Sequence, residues 1–319
     1  MKQLLWILPL LFLPALLSDF WLMQVITRSI ILGITALSLT FLATYLGVVS
    51  FAQITMAGVA AYTIAYFGPN SVSLGIELPV FIHVSMALVF AIFTGALIGV
   101  VAHRSRGIYA IMITLAIAVA FFYFTRQNYA IFNGWTGFSG VSAPKLFGTS
   151  LRNPILIYYV SLITALLMLV IVYGFVRSPM GLTIQAVRDA PNRVKALGIP
   201  TYIPIITAFS FSGFIAGSGG ILNVWFQERV SSFSVGIGPI IDILIISVIG
   251  GIRYPTGVFI GAIVFVLLDT FAVDFIDRER FNTLIGLVLL IIIMVAPNGL
   301  YQVFSDIFSY VKNSIKKKH

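Results

Sequence analysis

The chain has 319 residues, of which 60% are hydrophobic and only 9% are charged, and its mean hydropathy is +1.06. A soluble fold of this size could not cover so apolar an interior with so few charged side chains, so the composition indicates an integral membrane protein. The net charge of +9 is spread over short connections and the tail 316–319, which favours topology determinants over a nucleic-acid surface. With no Cys, disulfides, thiolate metal clusters and thiol nucleophiles are excluded.

Ten apolar segments follow one another along the chain, and runs of about 17–25 apolar residues are typical of transmembrane helices. Three of the segments are short, because a 15-residue helix covers about 22 Å of a roughly 30 Å hydrocarbon core. We therefore predict an all-α, polytopic membrane protein with about ten transmembrane or re-entrant helices, forming one domain over residues 1–319. The segments span about residues 3–17, 26–45, 51–67, 79–101, 107–124, 154–176, 202–225, 239–252, 255–272 and 282–296.

The first segment also has features of a signal peptide, since Lys2 precedes its apolar stretch, but no clear small-residue cleavage site stands before Asp19. Alternating the segments across the membrane, with the N-terminus inside, places twelve of the 19 Lys and Arg residues on the inner side. The positive-inside rule then predicts that both termini are cytoplasmic.

Two connections are long. Residues 125–153 are rich in Gly, Ser, Asn and aromatic residues and are predicted to form an external interfacial loop. Residues 177–201 are predicted to be cytoplasmic and carry helix punctuation, with Pro179 at the start and Gly198 near the end. We expect two short amphipathic helices there, broken near 189–191, which would lie on the lipid surface or dock to a partner.

Small residues recur at four-residue spacing, as Gly95 with Gly99, Gly213 with Gly217, and Gly257 with Gly261. Such pairs allow helices to approach closely in lipid. They predict where helices pack and carry no information about a substrate.

Signatures of catalysis are absent from the sequence. It contains neither the phosphate-binding motif of P-loop ATPases nor H-E-x-x-H. One G-x-S-G motif occurs at 137–140, but the only later His is His319, which leaves Ser139 without a plausible base. We predict no catalytic residue, metal site or cofactor, and hence a protein that is not an enzyme.

Few ionisable residues fall inside the predicted segments. Asp242 and Asp269 lie near outer helix ends, where we expect them to be solvated or to cap helices, and no acidic residue is predicted at the membrane midplane. That absence argues against a self-powered carrier. Polar uncharged residues are candidates for lining a translocation pathway, although hydrogen bonding between helices is the favoured explanation for each. These residues are Ser50, Gln53, Thr55 and Thr114.

Four stretches, in the same order along the chain, resemble the LivM-type permease family of ABC importers for branched-chain amino acids. The first, 45–63, is similar to G-x-x-S-x-G-Q…G-x-G-A-Y-T, and the second, 106–116, to R-G-I-Y-F-A-M-I-T-L-A. The third, 181–198, is similar to the family's cytoplasmic coupling loop, with Leu182 where Arg is usual. The fourth combines a glycine-rich stretch over 249–262 with the terminal A-P-N-G-L.

The resemblance implies a permease fold of about ten helices with inverted-repeat character in the bacterial inner membrane. It implies three kinds of partner, besides the lipid bilayer: a second LivH-like permease, two ATP-binding subunits and an external solute-binding protein. The implied function is import of branched-chain or related hydrophobic amino acids, with ATP hydrolysed on the separate subunits. The expected coupling surface comprises Ala186, Arg188, Asp189, Asn192, Arg193, Ala196, Leu197 and Gly198.

Two alternatives remain open at this point. Related permeases carry urea or short amides, and the sequence hardly separates these substrates from amino acids. A secondary carrier would transport without ATP and would need an ionisable group near the midplane.

Overall fold

The structure is a computed structural model, and it is almost entirely helical. Eight of the ten predicted segments coincide with helices, while 3–17 and 282–296 fall almost wholly outside the described residues. The structure describes residues 13–14, 17–68, 79–105, 107–146, 149–275, 286–287, 290, 294 and 299–302.

Within the described residues, five helices are long and apolar enough to cross a membrane. They are α1 (Trp21–Leu46), α3 (Val80–Ala102), α4 (Ile108–Gln127), α6 (Pro154–Val176) and α9 (Tyr202–Gln227). Shorter apolar helices are α2 (Gln53–Phe67), α10 (Ile237–Gly250) and α11 (Gly257–Phe275). Other helices among the described residues are α5 (Tyr129–Phe132), α7 (Pro179–Asp189), α8 (Pro191–Ala196) and the 3₁₀ helix Ser232–Val235.

The helices α7 and α8 form the predicted hairpin between α6 and α9. The Ser178 hydroxyl accepts a hydrogen bond from the Gly181 N–H, and Pro179 and Pro191 each occupy a first-turn position, where a missing N–H costs nothing. Gly198 stops the hairpin because its φ of +80° suits glycine. We call the end of the molecule that carries α7 and α8 the hairpin end.

The opposite end, which we call the loop end, is closed by the two connections that follow α4 and α9. Strand β1 (Phe138–Ser139) pairs antiparallel with β4 (Arg229–Val230), so Ser139 of the G-x-S-G motif lies in a strand pairing. A second two-residue ladder joins β2 (Lys145–Leu146) to β3 (Thr149–Ser150). These short ladders are an addition to the predicted all-α fold, and the β1–β4 ladder fastens the long loop to the connection after α9.

Helix α9 is the centre of the fold and packs against α1, α2 and α3, while α11 packs against α1 and α10. The predicted glycine pairs lie at these contacts. A Cβ on Gly95 or Gly213 would overlap backbone atoms of the facing helix, at Phe209 and Ala91 respectively, and a Cβ on Gly261 would overlap the Ile246 carbonyl oxygen. The packing role predicted for the glycines is therefore confirmed.

The chain between α1 and α2 is not helical. Helix α1 ends at Gly47, whose φ is +74°, and α2 begins only at Gln53. The Ser212 hydroxyl is 3.1 Å from both the Ser38 carbonyl oxygen and Gln53 Oε1. Gln53 therefore lies at the level of Ser38, well inside α1. Residues 47–52 thus return into the interior as a broken segment, which membrane proteins tolerate where protein or water surrounds it.

Candidate functional site

The hairpin has one buried and one exposed face. Ile184, Val187 and Val194 are buried, and α7 packs against α1, α6 and α9. Gly181 is needed at the α6 contact, because a Cβ there would overlap the Phe175 carbonyl oxygen and the Val176 backbone. The hairpin is therefore held firmly on the bundle, and any force on its outer face acts on the helices beneath it.

All eight residues of the expected coupling surface lie on the exposed side of this hairpin: Ala186, Arg188, Asp189, Asn192, Arg193, Ala196, Leu197 and Gly198. Apolar side chains stand among them, with Leu197 77% exposed and Leu182 59% exposed. Large apolar groups rimmed by charges are typical of a surface that binds another protein. We call these eight residues and Leu182 the hairpin surface.

Arg188 links the hairpin surface to α1. Its guanidinium donates to Asp189 (Nε to Oδ1, 2.7 Å) and also to the Thr44 carbonyl oxygen, near the end of α1. The Thr44 hydroxyl in turn donates to the Ile252 carbonyl oxygen, 2.8 Å away in the turn between α10 and α11. Two hydrogen bonds thus join α7, α1 and the α10–α11 turn at the hairpin end.

The Arg188–Asp189 pair also sets the charge of this surface. The hydrogen bond from the guanidinium holds the pKa of Asp189 below its usual range, and it raises the pKa of Arg188. Both side chains therefore stay charged at neutral pH. The pair is exposed to solvent, so its role lies in orienting the guanidinium toward Thr44 more than in stability.

The four candidate pathway residues gather around the broken segment and are all buried: Ser50, Gln53, Thr55 and Thr114. Thr114 accepts a hydrogen bond from the Phe51 N–H (3.2 Å), and Ser50 accepts one from the Ala52 N–H (3.3 Å). These contacts supply partners for N–H groups that no helix satisfies. Their role in lining a pathway stays a prediction, since none of the four borders the cavity described next.

A cavity of about 280 Å³ lies at the loop end, between α1, α2, α9, α10 and α11. Apolar side chains form much of its wall: Leu32, Ile54, Val224, Val235, Ile243 and Phe265. Polar side chains also line it: Arg28, Asn223, Gln227, Arg229, Ser234 and Asp242. The cavity therefore offers charges of both signs beside an apolar surface.

Arg28 is the main cation of this cavity within the bundle. It forms an ion pair with Asp269 of α11 (Nη2 to Oδ2, 2.5 Å), and the two side chains are 31% and 24% exposed. Asp242 is half-buried on the cavity wall, and among the described residues its carboxylate has no hydrogen-bond or ion-pair partner. Solvated or capping roles were expected for the two aspartates, but the structure places one against Arg28 and the other on the cavity wall.

Sequence reasoning missed Arg28, although a signal was present. It lies inside the predicted segment 26–45, and an ionisable residue within an apolar span marks a functional position by default. A helical turn of π type, Trp21–Thr27, directly precedes it, and such turns often occur at functional sites. Among the described residues, no three His, Asp or Glu side chains are grouped so as to hold a metal ion.

Five membrane-length helices, a charged cavity at one end and an exposed hairpin at the other define a polytopic membrane protein with the features of a transport component. The family model described as "Branched-chain amino acid transport system / permease component" matches residues 21–295. The chain belongs to this family of branched-chain amino acid transport permeases.

Two curated relatives carry the name "High-affinity branched-chain amino acid transport system permease protein LivM". The protein of Salmonella typhimurium is 26% identical over 230 residues, and that of Escherichia coli is 26% identical over 229 residues. Each alignment covers 65% of this chain and 53% of the relative, so the chain spans about half the length of the curated relatives it matches. No solved structure matches the chain significantly.

Proposed function

We propose that the chain is a membrane-spanning permease subunit of an ATP-driven ABC importer for branched-chain or related hydrophobic amino acids. The observation that carries this proposal is the hairpin surface, which exposes Leu182 and Leu197 while the other face of the hairpin is anchored on the bundle. A permease chain without a P-loop motif needs such a surface to receive force from a separate ATP-binding subunit.

The contacts of Arg188 support a route for that force. A subunit that closes on ATP would press on α7, and Arg188 would pass the displacement to Thr44 at the end of α1. Thr44 would pass it on to the α10–α11 turn through Ile252. Because α1, α10 and α11 also wall the cavity, movement at the hairpin end would change access at the loop end.

The proposed assembly contains this chain, a second LivH-like permease, two ATP-binding subunits and an extracytoplasmic solute-binding protein in the bacterial inner membrane. The hairpin end faces the cytoplasm, as the positive-inside rule predicts, and both termini lie on that side. The loop end then faces the solute-binding protein, and the cavity receives the solute.

A secondary carrier is the second candidate, because Asp242 places a carboxylate without a described partner on the cavity wall. Ion-coupled carriers use such groups. The two candidates differ in one respect that is easily measured, since only the importer needs a second subunit to hold and hydrolyse ATP.

The test is co-purification from mild-detergent membranes of a strain that expresses the whole transport system. The tagged chain should retain an ATP-binding subunit and a second permease, both identified by mass spectrometry. Leu197→Glu and Ala186→Glu should release the ATP-binding subunit, because each places a charge in the exposed apolar part of the hairpin surface.

Ile131→Glu is the matched control, since Ile131 is an exposed apolar residue at the loop end. This variant should retain the ATP-binding subunit. If the ATP-binding subunit stays bound to both hairpin variants, or if the wild-type chain purifies without one, the proposed coupling surface is wrong.

A further inference from the structure

We propose that the loop-end cavity is a binding site for a zwitterionic amino acid, in which Arg28 binds the carboxylate, Asp242 binds the ammonium and the apolar wall accepts the side chain. This inference rests on the proposed function and goes beyond it. It assigns substrate selection to the permease itself, in addition to any selection by a solute-binding protein.

The volume of the cavity fits a single small solute. It measures about 280 Å³, whereas sites for drug-sized ligands occupy about 300–1,000 Å³. An amino acid of leucine size is smaller than a drug and fits within such a space.

The charges of the cavity match the two charged ends of an amino acid. Arg28 has five N–H donors, and Asp269 contacts the guanidinium at Nη2. The remaining donors suit the two oxygens of a carboxylate, which Arg binds in a planar, bidentate manner. The ion pair with Asp269 also offsets part of the desolvation free energy of a guanidinium inside an apolar bundle.

Asp242 supplies the complementary anion. Its carboxylate lines the same cavity, on α10, and lacks a hydrogen-bond or ion-pair partner among the described residues. Arg28 interacts electrostatically with this carboxylate, but a half-buried carboxylate without a hydrogen bond is costly, and a bound ammonium would offset that cost. The side chains of Asn223 and Gln227, on α9, add amide groups that hydrogen-bond either end of the solute.

The apolar wall selects the side chain of the solute. Ile54, Val224, Val235 and Phe265 come from four different segments and converge on the cavity. Gly58 allows the Val235 side chain to pack closely against α2, because a Cβ at position 58 would overlap Val235 Cγ1. Urea and short amides carry neither the charges nor the apolar group that these residues recognise, so the site disfavours them.

The experiment measures binding of radiolabelled L-leucine to the full-length purified chain in lipid nanodiscs, without ATP or other subunits. Three competitors separate the contributions of the ammonium, the carboxylate and the side chain. 4-Methylpentanoate lacks the ammonium, and 3-methylbutylamine lacks the carboxylate. Acetamide lacks all three groups. Leucine should compete at least about tenfold better than each analogue, the loss expected for one hydrogen-bonded charge.

Asp242→Asn should weaken leucine binding about 10- to 100-fold and leave 4-methylpentanoate within about threefold of its wild-type affinity. Arg28→Lys keeps a positive charge for Asp269. It should weaken the binding of leucine and 4-methylpentanoate but not the binding of 3-methylbutylamine. Glu228→Gln is the matched control, since Glu228 lies at the same end of the molecule, pairs with Arg152 and does not line the cavity. It should bind leucine like the wild type.

The inference is overturned if leucine shows no saturable binding, if acetamide competes as well as leucine, or if Asp242→Asn binds both ligands as the wild type does. A second measurement separates this failure from failure of the proposed function. In the reconstituted complex, ATP-dependent leucine uptake with the same KM in wild type and Asp242→Asn would refute the site and leave the importer proposal standing. A complex that shows no ATP-dependent uptake at all would refute the importer proposal.

Discussion

The contact between α3 and α9 provides a stringent test of the packing. A Cβ built on Gly213 would overlap the Ala91 carbonyl oxygen and would come within 3.1 Å of the Ala91 carbonyl carbon and 3.2 Å of the Met56 sulfur. Two of these atoms belong to the backbone of the facing helix and cannot move aside without separating the helices. Gly213→Ala should therefore destabilise the protein.

The magnitude combines two effects of opposite sign. Replacing Gly by Ala inside a helix contributes about 1 kcal/mol in favour of the helix. Overpacking a well-filled contact costs about 1–3 kcal/mol, and contact with rigid backbone places this case at the upper end. We expect a net loss of about 2 kcal/mol, which corresponds to a fall in the melting temperature of at least about 4 °C.

Gly174→Ala is the control, because Gly174 also lies inside a long helix but a Cβ at this position would have no neighbouring atom within 4 Å. This variant should equal or exceed the wild type in stability. The assay is thermal unfolding in detergent, followed by fluorescence-detected size-exclusion chromatography. The reasoning is refuted if Gly213→Ala melts within about 1 °C of Gly174→Ala, a difference too small for an overpacked contact.

Two further predictions concern the link between Arg188 and α1. Arg188→Met removes the hydrogen bond to Thr44, which we value at about 1 kcal/mol because the guanidinium is partly exposed. ATP-dependent uptake should fall about fivefold with leucine binding intact, and a wild-type rate would contradict this role. Because the pKa of Asp189 is lowered in the folded protein, its contribution to stability through the ion pair with Arg188 is fully present above the usual aspartate pKa of about 4. That contribution is lost only as the pH falls through the lower pKa of the folded protein. The uptake ratio of wild type to Asp189→Asn should therefore stay constant from about pH 5.5 to 8, and a ratio that changes within this window would show that another group titrates.

Local signals in the sequence were sufficient to predict the hairpin. Pro179, the amphipathic run that follows it and Gly198 act within one or two helical turns, and the structure contains both helices between them. The glycine pairs were equally informative, because a missing Cβ matters only where another backbone approaches closely. In each case the sequence signal lies within a few neighbouring residues.

The cavity could not be predicted in the same way. Arg28 and Asp269 meet only because α1 and α11 pack together, and a single sequence does not specify which helices become neighbours. The broken segment was not predicted either. Gln53 lies beside Ser38 because the chain turns back into the interior after Gly47, and the contacts that show this come from distant residues. Contacts between distant segments decide both features.

The most direct test of the central proposal is leucine uptake by proteoliposomes containing either the purified chain alone or the complete complex. The account predicts uptake only in the complete complex, only with ATP, and greatly reduced uptake with Leu197→Glu in the hairpin surface. Uptake by the chain alone, driven by an ion gradient without ATP, would contradict the account and identify the protein as a secondary carrier.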